Sequence, residues 1–144
     1  MKKGITFGAF DLFHAGHVLM LQEAKTVCDY LIVCIQTDPS LDREVKNRPV
    51  QSIVERQVQV SACRYCDEVI VYDTEADVVE ILNSADWDVR ILGDEYRDKE
   101  FTGRAESLDR CYFNRRPHSF SSSELRNRVV QKTAANGEAE EEAG

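Results

Sequence analysis

The chain has 144 residues, of which 42% are apolar and 31% charged, and its formal net charge is −8. This length fits one domain whose core needs no disulfide or metal support. The acidic charge argues against sequence-independent nucleic-acid binding, which needs a surplus of lysine and arginine. No apolar run approaches the roughly 18 residues of a membrane span, and the N-terminus leads straight into a strand-like segment rather than a secretory signal. We therefore expect a cytoplasmic protein whose five cysteines are reduced thiols.

Two spacings of apolar residues alternate along the chain, one typical of buried strands and one typical of amphipathic helices. The strand pattern covers residues 5–7, 30–35, 68–72, 88–92 and 110–113. The helical pattern covers residues 17–28, 52–63, 76–84 and 121–131. Ser52 and Glu55 form a candidate capping box at the start of the second helix. The polar stretches 36–50 and 94–107 are predicted to be loops.

Strands that alternate with helices predict a single doubly wound α/β domain, with a parallel sheet and helices on both faces. The domain is expected to cover residues 1–131. Residues 132–144 contain four glutamates and almost nothing apolar to bury, so an acidic, disordered tail is predicted.

Four segments that follow predicted strands are expected to meet at the carboxyl edge of the sheet, where ligands bind in such folds. They cover residues 8–17, 38–49, 93–103 and 115–123. The first reads GAFDLFHAGH and places His14 and His17 where a strand passes into a helix. The free N–H groups and the dipole of a helix start attract phosphate, and Gly16 allows a ligand to approach closely.

Metal and redox alternatives are weaker. A zinc site lacks a third nearby ligand, because the remaining histidine, His118, lies on a separate loop. Cys63 and Cys66 have CxxC spacing, but they fall at a predicted helix end, and no second CxxC follows. We therefore interpret the cysteines as structural.

The segment 8–17 resembles the GxFDxxHxGH signature of the cytidylyltransferase-like nucleotidyltransferases. Other segments resemble that family in the same order: RYCDEV at 64–69, LGD at 92–94, and Arg116 followed by FSSS at 120–123. The resemblance extends from residue 3 to about residue 130. The motifs are most similar to those of the short, single-domain glycerol-3-phosphate cytidylyltransferases.

This resemblance implies a Rossmann-like nucleotidyltransferase domain, a homodimer, and transfer of a nucleotidyl group from a nucleoside triphosphate to a phosphate monoester. It implies catalytic roles for His14, His17, Lys46 and Arg116. It implies nucleotide binding by Ala9, Phe10, Asp11, Gly16, Arg64, Asp94, Ser121, Ser122 and Ser123. It implies acceptor binding by Asp38 and Arg56. Asp73 and Asp77 are further candidates for acceptor binding, because carboxylates are good partners for the hydroxyls of a polyol or sugar. Magnesium is expected to accompany the triphosphate, with Asp11 and Asp67 as candidate partners.

Several of these residues have structural alternatives. If Lys46 has no functional role, it is a solvated side chain in a polar loop. If the serines 121–123 have none, they only cap a helix. Asp73 and Asp77 would be acids at a helix start, where they are favoured in any case. Arg56 and Arg64 would form surface ion pairs.

Two departures from the family pattern bear on the substrates. Residues 117–119 read Pro-His-Ser where the glycerol-3-phosphate enzymes carry Thr-Glu-Gly, which leaves CTP open against ATP. Residues 72–77 lack the lysines that those enzymes place near the acceptor, and 46–50 resemble adenylyltransferases acting on heptose phosphates.

The sequence therefore predicts a CTP-dependent cytidylyltransferase acting on a small phosphorylated alcohol, with glycerol 3-phosphate as the best candidate. The alternative is an ATP-dependent adenylyltransferase acting on a sugar phosphate. A nucleotide-binding module without catalysis is the hypothesis from another class.

Overall fold

The structure is a computed structural model that describes residues 1–44, 46–115 and 118–143, with side chains up to residue 137. Five strands form one parallel sheet in the order β3-β2-β1-β4-β5. They are β1 (Lys3–Gly8), β2 (Tyr30–Gln36), β3 (Glu68–Tyr72), β4 (Val89–Gly93) and β5 (Cys111–Asn114). The predicted Rossmann-like parallel architecture is confirmed.

The helices are α1 (Ala15–Ala24), α2 (Ile53–Ser61), α3 (Glu75–Ser84), α4 (Arg104–Ser107) and α5 (Ser122–Ala143). Side-chain capping boxes fix the starts of α1, α2 and α3, and the one on Ser52 and Glu55 is as predicted. The first helix begins earlier than its apolar pattern because His14 caps it. It also ends earlier, since backbone turns at Thr26 and Val27 carry the chain on to β2.

The predicted loop 94–107 is more ordered than expected. It contains a 3₁₀ turn at Asp94–Tyr96 and the short helix α4. The turn follows directly on β4 and contacts β5, and α4 packs against α3. A similar turn, Pro39–Leu41, interrupts the predicted loop after β2.

Apolar side chains bury both faces of the sheet, and β2 supplies both. Leu31, Val33 and Ile35 lie in the cluster on the α1 and α2 side. Ile32 and Cys34 lie in the cluster on the α3 side. The continuous apolar run of β2 is therefore that of a central parallel strand, as predicted.

The five cysteines are free thiols. Burial raises the pKa of the Cys66 thiol to about 11. An activated thiol has a lowered pKa, so the structural interpretation of the CxxC segment is supported.

The strand order reverses beside β1, which lies between β2 and β4. Crevices of doubly wound sheets form at such a reversal, outside the carboxyl ends of the strands. The loop between β1 and α1 leaves the sheet at this point.

The last helix differs from its prediction. The sequence predicts an end near Gln131 and a disordered tail, whereas α5 continues to Ala143. Alanine and glutamate are strong helix formers, which accounts for the extension. Residues 127–136 are exposed, so this half of the helix adds no core. Within the described residues, no helix combines the length and apolarity needed to cross a bilayer.

Deleting residues 132–144 is expected to leave the melting temperature unchanged, because the described residues of this segment bury little surface. Differential scanning fluorimetry of the full and shortened chains measures this. Arg126→Ala serves as the contrast, since Arg126 donates to Asp11 at 2.9 Å and its loss should lower the melting temperature. A lower value on truncation alone would contradict the prediction.

Candidate active site

The loop between β1 and α1 has an unusual backbone. Phe10 and Leu12 adopt left-handed conformations, with φ of 52° and 53°. Such conformations cost free energy in non-glycine residues and persist only where the surroundings impose them. Phe10 is buried and packs on the His17 ring, and the Leu12 N–H donates to Gln51 Oε1 at 2.8 Å. The fold thus holds this loop in a strained and defined shape.

His14 and His17 form the start of α1. The Gly16 N–H donates to His14 Nδ1 at 3.0 Å, and the His14 N–H donates to His17 Nδ1 at 3.1 Å. The ring centroids are 3.9 Å apart, and Phe13 stacks on the outer face of His17. Because each Nδ1 accepts a backbone hydrogen bond, each neutral imidazole carries its proton on Nε2. Both histidines therefore offer an Nε2–H donor at a helix N-terminus.

Residues 121–123, at the start of α5, contact the loop between β1 and α1 and the His14 ring through Ser122. His14 Nε2 lies 3.2 Å from Ser122 Oγ, and the Ser122 hydroxyl in turn donates to the Asp11 carbonyl at 3.2 Å. Ser121 caps α5 by accepting from the Glu124 N–H. Ser123 is exposed. The N-termini of α1 and α5 are thereby brought together, and helix N-termini of this kind favour phosphate groups.

Gly16 leaves room between two rings. A Cβ at this position would lie 2.8 Å from His14 Cε1 and 3.1 Å from His118 Cε1. His118, which the sequence places on a separate loop, therefore lies beside the predicted pair. No group of side chains within the described ranges has an arrangement that would hold a metal ion.

The Asp11 carboxylate is hydrogen-bonded to other parts of the protein rather than available to a ligand. Its carboxylate accepts from the Val50 and Gln51 N–H groups at 2.8 and 2.9 Å, and from Arg126 at 2.9 Å. Burial raises the pKa of this carboxyl, but the hydrogen bonds outweigh burial and hold the pKa below its ordinary value of 3.8. With its oxygens engaged, Asp11 does not fit the predicted role of magnesium partner.

Arg56 also connects several chain segments, and it is only 2% exposed. Its guanidinium donates to four backbone carbonyls, those of Ala9, Gln36, Thr37 and Gln51. These carbonyls belong to the loop after β1, the end of β2 and the entry to α2. Arg56 therefore joins three chain segments at the carboxyl edge of the sheet, and neither acceptor binding nor a surface ion pair describes it.

Two adjoining pockets open at this edge. The first, of about 630 Å³, is lined by residues including His14, Gly16, His17, His118, Ser121 and Ser122. The second, of about 650 Å³, is lined by residues including Ala9, Arg43, Lys46, Tyr72, Arg90 and Thr102. Met20, Gly93 and Asn114 line both. The two pockets are therefore contiguous, as expected for a site that holds two substrates.

Several predicted site residues do not reach the pockets. Arg64 is exposed in the turn before β3, and Asp67 pairs with Lys25 at 2.7 Å, both at the amino edge of the sheet. Their placement opposes the predicted nucleotide and magnesium roles within one chain. Arg116 lies outside the described residues.

Four predicted acidic residues serve local structure instead. Asp77 completes the capping box of α3, and Asp73 accepts from the Thr37 hydroxyl. Asp38 caps the turn after β2 through Ser40. Asp94 pairs with Arg97 at 2.9 Å and is half-exposed. For Asp73 and Asp77 the helix-start alternative describes the structure better than acceptor binding.

Sequence reasoning missed four residues of this region: Gln51, Arg90, Asn114 and Arg126. Asn114 follows directly from the end of a parallel strand, which is a signal that was present in the sequence. Arg90 lies inside a predicted strand, where an arginine among apolar residues signals a buried charge. Gln51 and Arg126 contact residues that are distant in the chain, and no local sequence pattern predicts these contacts.

Comparison with known proteins identifies the family. The cytidylyltransferase-like family model matches residues 5–128. The chain belongs to the cytidylyltransferase-like family. Its sequence is 35% identical over 99 residues to glycerol-3-phosphate cytidylyltransferase of Bacillus subtilis, covering 69% of this chain and 76% of that protein. The expectation of a nucleotidyltransferase domain is thereby confirmed.

Other relatives share only part of their length with this chain. Ethanolamine-phosphate cytidylyltransferase of Arabidopsis thaliana is 48% identical over 65 residues, 44% of this chain and 15% of the relative. The bifunctional protein HldE of Wolinella succinogenes is 38% identical over 99 residues, 68% of this chain and 21% of the relative. The lipopolysaccharide core biosynthesis protein from Thermoplasma volcanium has the same fold, with a TM-score of 0.58 and 21% identity over 92% of this chain and 89% of that one.

Arg56→Met is expected to lower the free energy of unfolding by about 2–4 kcal/mol. The buried Gln36 carbonyl loses its donor at a cost of roughly 1–3 kcal/mol, and the three part-buried carbonyls add less because water can replace part of their hydrogen bonding. Urea unfolding measures this. Arg64→Met is the matched control, since Arg64 is exposed and its replacement should change little. Equal effects of the two substitutions would refute the structural role of Arg56.

Because of Asp11, the free energy of unfolding of this cytidylyltransferase-like domain should fall as the pH becomes acidic. Its folded-state pKa lies below the ordinary 3.8, so its contribution is complete above the unfolded pKa and is lost as pH falls through the folded one. Urea unfolding of the wild type and Asp11→Asn between about pH 3 and 7 measures this. The difference between them should be constant at neutral pH and shrink in acid; a pH-independent difference would argue against it.

Proposed function

We propose that the chain transfers a cytidylyl group from CTP to a small phosphorylated alcohol, with glycerol 3-phosphate as the best candidate, and releases pyrophosphate. The observation that carries this proposal is the paired helix start: two histidines with Nε2–H donors at the N-terminus of α1, joined to the N-terminus of α5 through Ser122. The relative named for glycerol 3-phosphate supports the acceptor, because the match covers 76% of that protein.

For this reaction the protein needs mainly to position the two substrates and to stabilise the charge that develops during the transfer. An oxygen of the acceptor phosphate already carries negative charge and attacks the α-phosphorus of the nucleotide. A new P–O bond forms, the bond from the α-phosphorus to the bridging oxygen breaks, and pyrophosphate leaves with that electron pair. No protein nucleophile or strong base is required.

His14 and His17 stabilise the charge that develops on the α-phosphoryl oxygens. Preorganised N–H donors at such a position lower the barrier because they need no reorganisation during the reaction. The His14 Nε2–H is directed at the Ser122 hydroxyl, 3.2 Å away, which fixes the ring. In the proposed reaction the α-phosphoryl oxygen takes the place of this hydroxyl as the acceptor. Lys46, which lines the second pocket, adds a cation beside the phosphates.

Magnesium enters this proposal with the nucleotide. The described side chains do not form a site for the ion, since Asp11 is engaged and Asp67 is remote. Mg²⁺ commonly keeps several waters and binds through substrate phosphates. The triphosphate would thus supply its ligands.

A second candidate function is ATP-dependent adenylyl transfer to a sugar phosphate. It is favoured by the match to HldE, which covers 68% of this chain. A module that binds nucleotide without turnover is the remaining hypothesis. Pyrophosphate release separates all three when each of the four nucleoside triphosphates is combined with glycerol 3-phosphate, phosphoethanolamine, phosphocholine or a sugar 1-phosphate.

CTP with glycerol 3-phosphate should give the highest kcat/KM. Higher turnover with ATP and a sugar phosphate would replace the first candidate by the second. Absence of pyrophosphate with every pair, together with thermal stabilisation by a nucleotide, would indicate the binding module.

His14→Ala is expected to lower kcat by roughly 10²–10³-fold, the usual effect of losing one preorganised transition-state donor. The nucleotide dissociation constant should change much less, because the donor acts mainly in the transition state. His118→Ala is the matched control: His118 lines the same pocket but stacks on Phe120 rather than capping α1. Near-normal turnover of His14→Ala would exclude the proposed role.

A further inference from the structure

Arg90 is a buried cation in the wall of the second pocket. It lies in β4 and is only 4% exposed. Its guanidinium lies between two aromatic rings, 5.0 Å from the centroid of Phe7 and 5.2 Å from that of Phe101. Nη1 donates to the Thr102 carbonyl at 2.7 Å and to Ser107 Oγ at 3.2 Å.

The guanidinium of Arg90 is incompletely satisfied. Its Nε is buried without a hydrogen-bond partner, and Nη2 donates to none of the described residues. The salt bridges of the described residues do not include Arg90. Buried N–H donors left without an acceptor cost free energy, even where aromatic rings and two oxygens offset part of the charge. Arg56 is different, since its nitrogens donate to four carbonyls and it lines neither pocket.

The backbone around Arg90 is shaped to bring it to the pocket. Gly103 has a φ of 76°, and a Cβ there would lie 2.5 Å from Leu82 Cδ1 and 3.0 Å from Arg90 Nη1. Only glycine allows the segment before α4 to close this tightly over the guanidinium. Thr102 and Phe101, the residues just before it, line the same pocket.

The remaining polar groups of the pocket wall suit an oxygen-rich ligand. Tyr72 and Thr102 offer hydroxyls. The two carboxylates have their own cations, since Glu75 lies 3.9 Å from Arg43 and Glu100 lies 3.2 Å from Arg104. Burial lowers the pKa of the Arg90 guanidinium, and the Glu75 charge is among the groups that partly offset this. Neither carboxylate forms a salt bridge with Arg90, and its unused N–H donors suit hydroxyl, carboxylate or phosphate oxygens rather than an ammonium group.

Resting on the proposed function, we propose that Arg90 determines acceptor specificity. Its guanidinium donates to the oxygens at the end of the acceptor remote from the reacting phosphate. It thereby selects a polyol or sugar phosphate and repels an amino-alcohol phosphate, whose ammonium group would lie against a like charge. The neutral aromatic rings on both sides keep the guanidinium dehydrated and its fork fixed.

The test compares the wild type with Arg90→Met and Arg90→Lys, using glycerol 3-phosphate and phosphoethanolamine at saturating CTP. Arg90→Met should raise KM for glycerol 3-phosphate by roughly 10–100-fold, the range for a lost charge-assisted hydrogen bond. KM for CTP and the kcat with glycerol 3-phosphate should change little. The ratio of kcat/KM for phosphoethanolamine to that for glycerol 3-phosphate should rise at least about tenfold. Arg90→Lys keeps the charge without the fork and should be intermediate.

Arg110→Met is the matched control. Arg110 also stacks on an aromatic ring, 3.6 Å from the centroid of Trp87, and donates to a backbone carbonyl. It lines neither pocket. Its replacement should leave the acceptor ratio unchanged even if it lowers the melting temperature.

Two outcomes would overturn the inference. One is an unchanged ratio between the acceptors in Arg90→Met, which would leave Arg90 a purely structural residue. The other is a wild type that prefers phosphoethanolamine. A wild type that turns over no acceptor with any nucleotide would refute the proposed function instead. Arg90 is then tested by direct titration of glycerol 3-phosphate, which should stabilise the wild type and not Arg90→Met.

Discussion

The site depends on one buried guanidinium. Arg56 donates to carbonyls of the loop after β1, of the end of β2 and of Gln51, which precedes the Ser52 cap of α2. These segments are distant from one another in the chain, and the guanidinium joins them. A single planar fork satisfies all of these carbonyls, which a lysine could not do. The strained loop between β1 and α1 is therefore held by Arg56 through the Ala9 carbonyl, together with the packing of Phe10 on His17.

Asp11 extends this framework to the last helix. Its carboxylate holds the backbone at Val50 and Gln51 and the side chain of Arg126, while its carbonyl accepts from Ser122. The same residue thus links the loop after β1, the start of α2 and the start of α5. In this structure the aspartate of the GAFDLFHAGH segment is needed because its carboxylate oxygens accept these hydrogen bonds. The same hydrogen bonds lower its pKa. Pairing of the two helix starts is a consequence of this link.

The fold can be predicted from the sequence where local pattern and topology agree. The apolar run 30–35 and the capping box at Ser52 predicted β2 and α2 nearly to the residue. The histidine loop was found because its motif is local and specific. Arg56 and Asp67 were misassigned because a charged residue in a motif does not state whether it faces a ligand or the backbone. Arg90 and Arg126 were missed because their partners lie far away in the chain.

The location of the hydrogen-bond donors bears on how an acidic chain would hold the anionic substrates of the proposed reaction. The net charge of −8 repels a triphosphate at long range, so binding must come from short-range groups that salt screens weakly. The described cavity walls supply such groups: two helix starts, two imidazole Nε2–H donors and the guanidinium of Arg90. Each of these is fixed by packing before a ligand arrives. The fold therefore concentrates donors at the carboxyl edge of the sheet, although the chain as a whole is acidic.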